Sequence, residues 1–483
     1  MMAVRKIIME TVILLICPMI ALSQQSNTLF FMHELPQANL LNPAVQIRCK
    51  YFIGLPVLAS THFNLSNTGF SINQALRKDA RTDSFYVRPD NIVRLAHRVD
   101  LLSSELQANL ISLGYKYKSY YFTFNVADKA AAGFTYPRQL TSLVWNGNSQ
   151  YEGQTVHFNS LRGNAVYYRE YAAGLSLQVN EDTYWGLRVK LLFGKADIHT
   201  SRSISSFTTA PVNWDLRLRS NIKLNGSLPV SIDTNQYGRV SEIEQNDIDI
   251  SHFLLNSANK GFAFDLGFIY NRDSKTSISG SLLDVGFIHW SSDLHSLAQN
   301  SEFFYSGTGF GSKFTMPDYL IAIRDSINHA FGIIPGANKY YSFLAPKSYL
   351  GVTYKINNKT KLGILNRNVY YREKIHAALT FSANTNVSDF LTTSLSYTLI
   401  NSSFNNIGLG IGLQSRNFLF HFISDNMLAP FYKSSRNFDV RFGFSFLFGC
   451  PKAKKLKSSP GCAGINEKKT IPPKKKITLF NLF

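Results

Sequence analysis

The 11 His, 31 Asp and Glu and four Cys of this 483-residue chain are the groups that could run acid–base, nucleophilic or metal chemistry. Their spacing supports none of these. There is no Gly-x-Ser-x-Gly turn to present a nucleophilic serine and no His-Glu-x-x-His pair to hold zinc. His33 and Glu34 are adjacent but stand alone near the N-terminus. His376 and His421 fall in strand-like runs among the smaller residues, where a lining role is expected rather than that of a base. No catalytic residue, metal ligand or cofactor is assigned, and the chain is read as a non-enzyme.

Charge placed on one side of a strand is the chemistry that remains. In residues 183–203, Trp185, Leu187, Val189, Leu191 and Phe193 alternate with Gly186, Arg188, Lys190, Leu192 and Gly194. In 212–224, Trp214, Leu216, Leu218, Ile222 and Leu224 oppose Asp215, Arg217, Arg219 and Lys223. Successive strand residues point to opposite faces, so one face is large and apolar and the other is small or charged. If the apolar face meets lipid, then Arg188, Lys190, Arg217, Arg219, Lys223, His376, Asp439 and Arg441 face a lumen or extend above the membrane. A charge on the lipid face would cost roughly 2–4 kcal/mol at the bilayer midplane. Cations outnumber anions in that set. An open lumen would then prefer anions; a lumen filled by the N-terminal segment and loops would instead pair these cations with Asp and Glu. Both readings stand at this level.

The elements that would carry those residues are strands. Phe and Tyr are abundant (37 and 24) and only 17% of residues are charged, a composition that favours β structure. No run of roughly 20 apolar residues recurs, as a helical membrane protein would require. Strand-like runs begin near residue 50, with 105–117, 119–127, 166–179, 261–271 and 275–290 among them. Seven more follow at intervals of 10–15 residues from 348 to 448. The 275–290 run breaks phase near Leu282-Leu283, as a bulge would. About 14 strands are expected, in up-and-down antiparallel order, with short helices near 91–99, capped by Asp90 or Asn91, and 137–146. The polar stretches 225–259 and 291–346 read as long loops. The glycine ladder Gly408, Gly410 and Gly412 between Ile407, Leu409, Ile411 and Leu413 shows how small the inner face becomes. The fold class is all-β: a transmembrane antiparallel barrel over 24–449, since only helices and closed barrels satisfy their backbone groups in hydrocarbon.

Residues 1–23 have a basic start at Arg5 and Lys6, an apolar stretch and a small-residue exit at Ala21-Leu22-Ser23, the pattern of a secretory signal peptide. The expected location is the outer membrane of a Gram-negative cell. The final strand, "RFGFSFLF", places Arg441, Gly443, Phe446 and Phe448 as in the C-terminal signal by which outer-membrane barrels are recognised for insertion, so lipid and the barrel-assembly machinery are expected partners. Beyond it, 450–483 is a basic, flexible tail with nine Lys against Glu467 that carries +8 of the net +19. It is either a periplasmic contact for envelope proteins or a solvated end; an exported chain meets no chromosome, so nucleic acid is excluded as a partner. Cys450 and Cys462 within this tail are spaced to form a disulfide or to stand as two free thiols.

Several stretches together resemble an outer-membrane barrel family of the Bacteroidota catalogued as a domain of unknown function: "FTYPRQLTSLVWNGN" (134–148), "VYYREYAAGLS" (166–176), "SGSLLDVGFIHW" (279–290), "NNIGLGIGLQ" (405–414) and "FDVRFGFSFLFG" (438–449). Asn42-Pro43-Ala44 more distantly resembles the start of fatty-acid-transporter barrels and of type IX secretion accessory barrels. Size, the cationic inward face and the Asn-Pro-Ala resemblance together point to a channel or transporter for a small or amphipathic solute with a cationic lumen. The alternative is a non-conducting accessory barrel that docks secretion or motility partners.

Overall fold

A computed structural model describes residues 27–451 except 79–84, 213–214, 235–239, 245–249, 306–331, 334–337, 372–373, 401–402 and 430–435. The leader expected over 1–23 and the tail beyond Pro451 lie outside the described residues.

Fourteen antiparallel strands close into one barrel. They are β1 (Tyr51–Gly54 continued by Thr61–Asn67), β2 (Val99–Tyr117), β3 (Tyr120–Pro137), β4 (Arg162–Gln178), β5 (Thr183–Thr209), β6 (Asn259–Asn271) and β7 (Thr276–Trp290). The second half is β8 (Lys347–Lys355), β9 (Thr360–Tyr371), β10 (Lys374–Asn386), β11 (Leu391–Ile400), β12 (Ser403–Ser415), β13 (Phe418–Ser424) and β14 (Asn437–Phe448). Each pairs with its neighbour in chain order. Closure comes where β14 meets β1, with Phe448 opposite Tyr51 and Phe442 opposite Thr61. The expected number of strands is therefore present, and the single closed sheet leaves no edge for water or another chain to pair with.

The alternation decides which way each side chain points. Phe262, Leu266 and Tyr270 of β6 are exposed on the outer surface, while Ala263 and Asp265 are fully buried. In β14, Arg441, Gly443, Ser445 and Leu447 turn inward and Phe448 outward. The outer aromatics touch across strands: Phe420 packs on Phe444 at 5.0 Å and Phe418 on Phe446 at 5.8 Å between ring centres. The expected break in β7 is a bulge. The β6–β7 register shifts between Phe264 and Leu266, and Asp284 takes a positive φ of 58°.

Every connection at one end of the barrel is short, among them Lys118-Ser119 and Arg416-Asn417, and the long connections lie at the other end, where only the links after Tyr371 and Ile400 are short. Helices Pro89–Leu95 and Arg138–Asn146 lie in long connections. The first begins earlier than expected because Pro89, at the first turn, fixes a helical φ and lacks the N–H that a helix start cannot use. β5 runs 27 residues, more than twice the roughly 9–11 a spanning strand needs. Its first part pairs with β6. Its second part pairs with a ribbon, Leu216–Ser227, which pairs in turn with Leu294–Tyr305. The ribbon sits where sequence periodicity alone suggested a barrel strand and a loop.

Residues 27–49 fill the barrel. Two 3-10 turns, Thr28–Phe31 and Pro36–Leu40, place Leu29, Phe30, Met32, Leu35 and Ala38 at 0–1% exposure. Asn42 holds the following turn by accepting the Ala44 N–H at 3.0 Å and donating to the Phe268 carbonyl at 3.1 Å. The glycines of the inner wall make room for this segment. A Cβ at Gly363 or Gly351 would stand 2.6 Å from the Phe31 ring, one at Gly412 2.7 Å from Leu35, and one at Gly267 2.8 Å from Pro43. Gly410 faces Met32 in the same way.

Cys450 is bonded to Cys49, at an S–S distance of 2.03 Å, and not to Cys462, which lies outside the described residues. The barrel closure explains the pairing: Lys50 N–H donates to the Phe448 carbonyl at 2.9 Å, so residues 49 and 450 leave the same seam side by side. Cys49→Ser is expected to lower stability by about 2–4 kcal/mol. Unfolding midpoints with and without reductant check this: reductant should lower the wild-type midpoint and leave the variant's unchanged.

Candidate functional site

Against the plug, inward side chains of seven strands meet in a largely buried polar network. Lys190 of β5 reaches Asp265 of β6 at 2.7 Å and Asp284 of the β7 bulge at 2.6 Å. Lys129 of β3 reaches Glu170 of β4 at 2.7 Å and Asp284 at 3.7 Å. Lys347 of β8 stands 3.7 Å from Asp284 and 4.0 Å from Glu105 of β2. Arg188 binds Asp265 at 3.0 Å and also the plug, donating to the Asn39 carbonyl and side-chain oxygen at 2.5 and 2.6 Å. The wall is thus tied to the plug by a charged group as well as by apolar packing.

A second group lies across the lumen on β14, β1 and β9. Asp439 is hydrogen-bonded to His62 Nε2 at 2.7 Å and accepts from Asn64 at 3.3 Å. Arg441 donates to the Ser60 hydroxyl at 3.0 Å. Asp425, just past β13, accepts the backbone N–H groups of Asn27 and Thr28 at 2.7 and 2.8 Å, so a carboxylate caps the first turn of the plug. Between the two groups is a polar cavity of about 110 Å³ whose lining includes Leu40 and Leu41 of the plug.

Sequence parity singled out Arg188, Lys190, Asp439 and Arg441, and these four lie in this network. His376 is also buried; its ring nitrogen is 3.2 Å from the Tyr371 carbonyl. Arg217, Arg219 and Lys223 sit elsewhere, on the ribbon Leu216–Ser227 beyond the barrel pairing. The side chains of Arg217 and Arg219 are more than half exposed there and share Glu302 at 3.0 and 3.3 Å. They alternate correctly but on a strand that does not enclose the lumen. The inward carboxylates Glu105, Glu170, Asp265 and Asp284 met no expectation as a group, and neither did Lys129, Lys347 and Arg367. Arg367 was readable by parity, since it shares a face with Gly363 opposite the exposed Leu362 and Ile364. Asp284 was not, because the bulge breaks the period. With Asp425 and Asp439 those carboxylates equal in number the cations Lys129, Arg188, Lys190, Lys347, Arg367 and Arg441 of the two groups, although Arg367 has no carboxylate within 4.0 Å among the described residues.

The fold and its filled lumen define a plugged transmembrane β-barrel. The chain belongs to the Family of unknown function (DUF5723), whose model matches residues 43–425. No curated protein matches it. Among solved structures it is similar to the toluene transporter TbuX of Ralstonia pickettii, with 8% identity and a TM-score of 0.41 over 86% of this chain and 94% of that one. It is similar also to the Pseudomonas putida toluene transporter TodX (8%, 0.36, 89% and 94%) and to a Pseudomonas aeruginosa FadL homologue (8%, 0.35, 86% and 94%).

Removing one partner of a buried pair leaves the other charge uncompensated, at a cost of about 3–5 kcal/mol. Asp265→Asn, which takes from Arg188 its carboxylate and leaves Lys190 on Asp284, is expected to destabilise by that amount. Arg217→Gln, on an exposed surface, is expected to stay within about 0.5 kcal/mol of wild type. Urea unfolding of the refolded barrels compares them.

Proposed function

We propose that the protein is an outer-membrane conduit that rests closed and admits or binds a small or amphipathic solute. The observation that carries this reading is the plug: residues 27–48 are held in the lumen by packing, hydrogen bonds and the Arg188–Asn39 contact, and covalently fixed to the wall only at their base, through Cys49. A segment that seals a pore by non-covalent contacts can leave it without breaking the barrel. An outward belt of Leu, Val, Phe and Tyr supports the membrane location. The leader at 1–23 would direct export, and the aromatic alternation of β14 with Arg441, Gly443, Phe446 and Phe448 would be read by the assembly machinery.

A second reading, a non-conducting accessory barrel that docks secretion or motility proteins, is favoured by the same closed lumen together with a wall that continues past the membrane as the ribbon. The 450–483 tail would then be the periplasmic contact, because the chain leaves β14 at the short-turn end.

Planar-bilayer recordings separate the two. The refolded wild type is expected to be silent or to open rarely. Gly363→Leu with Gly410→Leu, which crowds Phe31 and Met32 out of their seats, is expected to give steady conductance from a barrel still folded by heat-modifiable gel mobility. Silence of that folded double variant would favour the accessory barrel.

A further inference from the structure

Arg367 of β9 is 1% exposed and lines the polar cavity, yet its Nε and Nη2 have no hydrogen-bonding partner among the described residues. These two N–H groups lie on one edge of the guanidinium and form the fork that takes two oxygens of one anion side by side. The same protein shows the fork in use: Arg169 of β4 gives Nε and Nη2 to the two oxygens of Asp128 at 2.7 and 2.8 Å. Glu105, Glu170 and Asp284 also line the cavity, but none of them pairs with Arg367: Glu105 stands 4.0 Å from Lys347 and Glu170 2.7 Å from Lys129. Asp425 holds the plug N–H groups, Asp439 holds His62 and Asn64, and Asp265 and Asp284 hold the cations of β5. A buried guanidinium left unpaired is costly, and Arg441 and Lys347 line the same cavity.

We infer that this cavity is a binding site for a small oxyanion, a carboxylate or a phosphate, held bidentately by the Nε–Nη2 edge of Arg367 with Arg441 and Lys347 beside it. The volume sets the size of the ligand. About 110 Å³ is less than the ~150 Å³ that accommodates benzene, so an acetate- or phosphate-sized group fits and a long acyl chain does not. The site also bears on the plug: Arg367 stands opposite Tyr349 in the β8–β9 pair, and the Tyr349 ring stacks on Phe30 at 5.3 Å. The inference rests on the closed-lumen reading above, and names the chemistry such a lumen would select.

The test uses the full mature chain refolded in detergent. Inorganic phosphate and, separately, sodium acetate replace chloride at constant ionic strength, while the unfolding midpoint and the heat of binding are recorded. A saturable rise in midpoint with one or both anions is expected, and which of them acts identifies the source chemistry. Arg367→Lys keeps the charge and loses the fork, and is expected to weaken binding at least tenfold. Arg217→Gln is expected to bind as wild type. No saturable anion effect on the wild type, equal binding by Arg367→Lys, or equal weakening by Arg217→Gln would each overturn the inference. Should Arg367→Lys fail to fold, the titration of the wild type alone still decides. Binding here is read without conductance, so a barrel that binds the anion but stays silent in bilayers keeps this site and loses the conduit.

Discussion

Fourteen strands enclose more space than inward side chains of ordinary size fill, and a membrane barrel cannot shrink without breaking its hydrogen-bonded closure. Everything inside this protein answers that constraint. The N-terminal segment supplies the missing volume, with Leu29, Phe30, Met32 and Leu35 buried as fully as any core residue. The wall accommodates it by giving up side chains at Gly351, Gly363, Gly408, Gly410 and Gly412. Glycine weakens a strand by itself. Here the loss is offset by close packing between backbone and plug.

The same geometry explains where charge can live. On the lipid side the belt is apolar because a bare charge there is expensive. On the lumen side, cations from β3, β5, β8, β9 and β14 interleave with carboxylates from β2, β4, β6, β7 and β14, so that most are compensated within 4 Å. Buried pairs of this kind add little net stability but penalise any arrangement that separates them. They fix the register of the wall and, through Arg188 on Asn39, the height of the plug. Arg367 departs from the pattern, and that departure marks the place where the lumen has binding capacity to spare.

Much of the wall was legible from the chain. Period-two alternation located the strands from 348 to 448, the β6–β7 hairpin and its bulge, and the inward Arg188, Lys190 and Arg441, because a strand's two faces see environments as different as lipid and lumen. The plug was not legible in the same way. Its apolar residues, Leu29 to Leu41, follow neither a helical nor a strand period, since they are fitted to glycine seats contributed by distant strands. Gly408, Gly410 and Gly412 announced a small inner face without saying what occupies it. The Cys49–Cys450 bond joins residues 401 apart and becomes obvious only once β14 closes on β1. Arg217 and Arg219 show the limit of parity: it assigns a face, but a ribbon that leaves the barrel has no lumen to face.

In the membrane-inserted protein, residues 27–48 should occupy the lumen against the glycine seats. The most direct measurement is a disulfide trap in native membranes: Met32→Cys with Gly410→Cys, in a Cys462→Ser background, under mild oxidation. Rapid, near-complete crosslinking within one chain, abolished when Gly410→Cys is paired instead with Val45→Cys, is the result expected of a seated plug. Equal or absent crosslinking in both pairs would mean that the segment does not rest where the glycines receive it.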